Sequence, residues 1–153
     1  MHHKSLHNSA DFEEIITRIS FLSENSQRKW GRMDVAQMLT HCELILKVAL
    51  KEIQLPRPNI VIRTIGILTK KEIQIFNNGI PHNMPSFQKL IVNFECDFVV
   101  AKNNLLKTLQ DYAKAYENHD LPHDHALFGE MKEQDWGFLE YKHLNHHLKQ
   151  FNV

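Results

Sequence analysis

Residues 132–151 read KEQDWGFLEYKHLNHHLKQF, and the periodicity of this stretch decides the fold class. With His143 set at zero on a helical wheel, Leu139, Trp136, Phe151, Leu144, Leu148 and Tyr141 fill an arc from about 320° through zero to about 160°. Asn145, Lys149 and Lys142 take the opposite side, from about 200° to about 260°. One apolar arc and one polar arc at this period define an amphipathic helix. Three more stretches carry the same signature, residues 11–22, 34–53 and 95–116. Acids in the first turn of 11–22 suit the helix dipole, and Asp34 is a natural N-cap. Between the second and third segments lie some 40 residues with four of the five prolines. Within them residues 60–76 fit a helix or short helical turns, while Asn78-Gly79 and the span from Pro81 to Pro85 are turn signals. Four amphipathic helices and one long connection predict an all-α four-helix bundle. The crossover between helices two and three sets those two parallel rather than as a hairpin.

Composition agrees. The chain has 153 residues, and its Gly and Pro number 5 each, where average usage would give roughly 18 together. Few turn residues mean long helices rather than many short strands. The length suits one domain over residues 1–153, with residues 1–10 expected as a flexible tail. Lys plus Arg and Asp plus Glu are 18 each, so the formal charge is zero with His neutral. There is no basic excess or stripe, and nucleic acid is not expected as a partner. The longest apolar-rich run, residues 60–68, is too short to cross a bilayer and contains Arg63, so no membrane association is expected. Residues 1–10 have no apolar core of signal-peptide length. Cys42 and Cys96 are read as reduced, buried thiols, and the localisation expected is cytoplasmic.

The unusual count is His, at 11. His2, His3 and His7 fall in the expected tail, His82 in the Pro-rich connection, and His119, His123 and His125 in the loop before the fourth helix. The other four are on helices. On the last helix His143, at zero, and His147, at about 40°, lie inside the apolar arc, while His146 at about 300° sits at its edge. On the second helix, measured from His41, the apolar side chains of Val48, Ile45, Met38 and Cys42 run from about 340° through zero to about 100°. His41 therefore also points inward, with Glu43, Lys47 and Lys51 on the polar side.

A buried neutral imidazole has one donor and one acceptor to satisfy. Three inward imidazoles admit two readings, a hydrogen-bonded polar core or a metal site. His143 and His147 are spaced i, i+4, which sets two imidazoles on one helix face for one ion. Glu140, at about 60° on the last helix, is an inward carboxylate that wants a partner and is the candidate general base. Glu140 and His143 also form one Glu-x-x-His, but a di-iron bundle needs a second copy and further inward carboxylates, which the chain lacks. Cys42 points about 100° away from His41 and is not taken as a nucleophile.

Two motifs carry a family resemblance. The entry to the second helix, WGRMDVAQMLTH at 30–41, resembles the W…H segment of the DinB-like superfamily. The chain end, YKHLNHHLKQF at 141–151, resembles that superfamily's closing HxxxHxxQ, and the detail resembles a subgroup of uncharacterised DinB-fold domains. The likeness spans about residues 11–153. Where the subgroup often has His-Pro before Phe-Gly, this chain has His125-Ala126-Leu127-Phe128-Gly129. The resemblance implies an up-down-down-up four-helix bundle and a three-His metal site that carries onto His41, His143 and His147. It implies Zn²⁺ or Ni²⁺ as the ion and a homodimer as the assembly. Some relatives are thiol-dependent transferases or isomerases. The function expected is a metal-dependent enzyme activating water or a thiol, with a small-molecule substrate. The alternatives are a non-catalytic metal- or ligand-binding module and a structural, dimerising domain without metal.

Overall fold

The computed structural model describes residues 3–153, so the expectation for His2 lies outside the described residues. The elements run α1 (Ser9–Ser20), α2 (Val35–Ala49), α3 (Ile60–Phe76), a 3-10 turn (Gln88–Leu90), α4 (Phe98–Glu117), β1 (Asp124–His125), β2 (Gly129–Glu130) and α5 (Glu133–Gln150). The molecule is helical, with a two-stranded antiparallel hairpin as its only sheet among the described residues. Residues 60–76, ambiguous by periodicity, form one 17-residue helix, so the described residues hold five α-helices rather than four.

Side-chain caps start the helices. Asn8 accepts from Ala10 N and Asp11 N and begins α1 two residues earlier than the apolar pattern indicates. Asp34 and Gln37 form a reciprocal capping box on α2, and Asn59 and Asp97 cap α3 and α4. A capped start satisfies backbone N–H groups that a helix terminus otherwise leaves open.

The most extensive packing is between α2 and α4, with α1 and α2 also lying against α5. One cluster of buried side chains joins them, including Ile15, Ile19, Leu39, Leu46, Leu105, Leu109, Leu144 and Leu148. Trp136 fills its end and donates its indole N–H to Pro122 O at 2.6 Å. The polar face assigned to α2 is not wholly solvated, because Glu43 is buried and pairs with Lys47 at 2.6 Å. Cys42 is buried as expected, but Cys96 is only half-buried.

Helix α3 joins this cluster only through Ile73. Its inner side rests on the β1–β2 hairpin, where Gly66 lies so close to Leu127 that a Cβ would sit 2.5 Å from the Leu127 carbonyl oxygen. Arg63 bridges to Asp124 and to Ala126 O at 2.8 and 3.1 Å, and Gln74 donates to Asp135 at 2.7 Å.

The segment expected as a tail is packed. Leu6 is buried and its N–H donates to Gly137 O at 3.0 Å. The His7 ring stacks on Tyr116 at 3.5 Å between centroids, and its Nε2 lies 2.9 Å from Tyr112 Oη. His7 is thus a packed, half-buried side chain, and desolvation lowers its pKa to about 4. No helix among the described residues is long and apolar enough to cross a membrane.

Candidate metal centre

His41 comes from the middle of α2 and His143 and His147 from successive turns of α5, the two helices that meet across the core. The ring pairs lie 5.1 Å (His41–His143), 5.0 Å (His41–His147) and 4.6 Å (His143–His147) apart, all tilted or edge-on. One ligand nitrogen from each falls within 4.8 Å of the others. All three residues that the helical arcs turn inward therefore converge.

Their tautomers follow from their partners. His41 Nδ1 lies 2.7 Å from the Leu90 carbonyl oxygen, which can only accept, so Nδ1 carries the proton and Nε2 keeps its lone pair. His147 Nδ1 lies 2.8 Å from Gln150 Oε1. The Gln150 amide is itself oriented, because its Nε2 donates to Trp30 O at 2.6 Å. Its oxygen must face His147, so His147 also has Nδ1–H and a free Nε2. Carbonyl-type acceptors on the far nitrogen are the usual support for a metal-binding imidazole.

His143 is different. Its Nε2 lies 3.2 Å from His41 Nε2, and its buried Nδ1 has no partner among the described residues. Without an ion, one proton on His143 Nε2 can bridge to His41, but the centre still holds one more inward lone pair than it has protons. The 3.2 Å separation matches the edge of a tetrahedron, since two nitrogens each about 2.0 Å from a Zn²⁺ ion sit about 3.3 Å apart. The donor set, the tautomers and this spacing all fit a divalent ion.

The electrostatics keep the three imidazoles neutral. Burial lowers the His41 pKa and takes His143 well below the usual imidazole range, with His147 and His41 adding to the effect on His143. Burial followed by the nearby His41 lowers His147 to about 3. Neutral imidazoles bind metal without first releasing a proton.

Glu140 is buried, its Oε2 has no hydrogen-bond partner among the described residues, and burial raises its pKa to about 8. Its charge is felt by Cys42 and Tyr112, both pushed upward first by their own burial. Cys42 stays a protonated, fully buried thiol, consistent with its exclusion as a nucleophile.

Three contributors were not found from the sequence. The Leu90 carbonyl arrives from the 3-10 turn, 49 positions from His41. Gln150 was part of the closing motif, and its i, i+3 spacing from His147 was the available signal for its orienting role. The third is a ring cluster beside the centre. Trp30 stacks on His82 at 3.8 Å and 8°, and His146 meets both edge-on.

Sequence comparison places the chain in a family. A family model described as a protein of unknown function, DUF1569, matches residues 1–153, and the chain belongs to that family. Comparison with curated proteins and with solved structures finds no match.

Proposed function

We propose that this chain is a metal-dependent enzyme of the DinB-like type, with a divalent ion, Zn²⁺ or Ni²⁺, held by His41, His143 and His147. The observation that carries the reading is the meeting of three imidazoles from α2 and α5, two with Nδ1 committed to an acceptor and Nε2 turned inward. An ion held by these three neutral imidazoles would supply Lewis-acid activation of a water or a thiol. The reaction class is hydrolysis or thiol-dependent transfer on a small molecule. Glu140, one helical turn from His143, is the proposed proton-transfer group. In the metal-free chain burial raises its pKa to about 8, and a divalent ion nearby would lower it and favour the carboxylate that serves as the base.

The first test is elemental analysis of protein purified without an affinity tag. About one ion per chain is expected, and none in His147→Ala. A metal-free native protein whose melting temperature is unmoved by His147→Ala would sink the reading and leave the three rings as a hydrogen-bonded core. Turnover is tested with a panel of thiols and electrophiles. Activity abolished in His41→Ala supports the enzyme, and silence across the panel favours the non-catalytic binding module.

The DinB-like reading also assigns α1, α2, α4 and α5 to an up-down-down-up bundle and the protein to the cytoplasm. It further proposes a homodimer, and α3 favours that assembly. Ile60, Val61, Ile65, Leu68, Ile75 and Phe76 are 58% to 76% exposed on its outer side, within an arc of about 160°. Together they leave on the order of 800 Å² of apolar surface, the amount one partner brings to a standard interface. The arc carries one Lys71 and one Glu72, so it offers no cationic rim for an anionic lipid surface, and a second copy is the proposed occupant. Light scattering should give twice the chain mass, with Ile65→Glu plus Leu68→Glu returning one chain mass at an unchanged helical signal. A wild-type protein that runs as one chain at high concentration would end the dimer proposal.

A further inference from the structure

Beside the three-histidine centre lies a pocket that the reading above does not use. The outer face of α5 supplies Lys142, Asn145, His146 and Lys149, and the connection after α3 crosses over it with Gly79, Ile80 and His82, while Trp30 forms a side wall. No carboxylate among the described residues lines it.

Its polar groups are donors. Lys142 Nζ donates to Asn77 O and Asn78 O at 2.8 and 3.2 Å, which fastens the crossing segment to α5. Lys149 is exposed and forms no ion pair among the described residues. Asn145 Oδ1 accepts from Arg18 at 2.9 Å, which leaves its amide N–H₂ free to donate. Trp30 Nε1 is buried and has no acceptor among the described residues. A buried donor without a partner bears the full cost of its desolvation. Two ammonium groups and an amide with no acid to answer them form a site for an oxyanion, with the unpartnered indole N–H sealed in the wall beside them.

The pocket also adjoins the centre. The His146 ring is 5.0 Å from that of His147, and the Trp30 carbonyl is the acceptor that orients Gln150 and through it His147. We infer that this pocket binds an oxyanion, a phosphate or a carboxylate, and that the substrate of the proposed enzyme is a small molecule carrying that group. The substrate part rests on the metal-dependent reading, while the anion site stands on the pocket alone. The anionic group anchors at Lys142, Asn145 and Lys149, with His146 between it and His147. Remote binding of this kind positions the reacting atoms.

The test titrates chelator-stripped, ¹⁵N-labelled full-length chain with inorganic phosphate and separately with acetate. Sodium chloride at matched ionic strength is the reference, and the Trp30 indole N–H signal is followed. A saturable shift with either oxyanion is expected, and the one that saturates lower names the source of the charge. Lys149→Glu changes an exposed residue and should weaken binding ~10-fold or more at an unchanged melting temperature. Lys142→Met should weaken it too. Shifts no larger than those of chloride overturn the proposal, as does unchanged affinity in Lys149→Glu. Metal content is measured on the same preparations before stripping. Oxyanion binding without metal sinks the enzyme and the substrate assignment but keeps the site, whereas metal without oxyanion binding overturns the site alone.

Discussion

Gln150 has two jobs that no other residue type can combine at this position. Its oxygen fixes the His147 tautomer and its nitrogen fixes the loop at Trp30. Gln150→Ala leaves His147 Nδ1–H without an acceptor and frees the ring to turn. Metal affinity should fall about 10- to 100-fold, read by competition with a chromogenic chelator, while His41 and His143 stay in place. An unchanged affinity would show that packing alone orients His147. The three converging histidines are legible because a charged or polar side chain inside an apolar arc is visible from sequence alone. The Leu90 carbonyl was not, since a backbone acceptor from a distant turn leaves no trace in residue type. The placement of His7 is hidden for a related reason. A short polar segment looks solvated, and nothing in its composition announces a ring stacked on Tyr116.

At the scale of elements, the loop entering α2 and the end of α5 are fitted to each other. Lys29 N–H donates to Gln150 O at 2.7 Å. Gly31 has φ +83°, and a Cβ there would come within 2.5 Å of Gln150 Nε2. Gly31→Ala therefore meets both a left-handed backbone and an occupied space, at a cost of about 1–3 kcal/mol. It should lower the midpoint of chemical denaturation and weaken metal binding together. A loss of stability with full metal affinity would separate the loop from the centre. Four helices were legible because their apolar arcs face one core. The fifth, α3, is ambiguous because apolar residues run nearly all round it, and its inner side packs through Gly66, polar tethers and the single core residue Ile73 rather than a full aliphatic stripe. The β1–β2 hairpin has two-residue strands, too short for alternation to register.

For the whole molecule, buried ionisable groups set opposite pH limits. Burial lowers His7 and His125 to about 4 and His147 to about 3. The unfolded chain takes up protons from about pH 6.5 downward that the fold refuses, so this stability is full above that value and is lost toward pH 4 to 3. Glu140 works the other way. Its folded pKa of about 8 lies above the unfolded value, so its contribution is full below about pH 4.5 and is lost as pH rises to about 8. Metal-free Glu140→Gln should be more stable than wild type at pH 8, by an amount on the order of a few kcal/mol, with the advantage fading by pH 5. Melting curves across that range check it, and a difference constant with pH would mean that Glu140 is not held protonated. The centre also joins distant parts of the chain, for His41 and His143 are 102 positions apart in sequence. An ion bound between them would be a removable cross-link over most of the polypeptide. It could not seat until α2 and α5 had docked, so it would leave the rate of folding nearly untouched and act chiefly as a brake on unfolding.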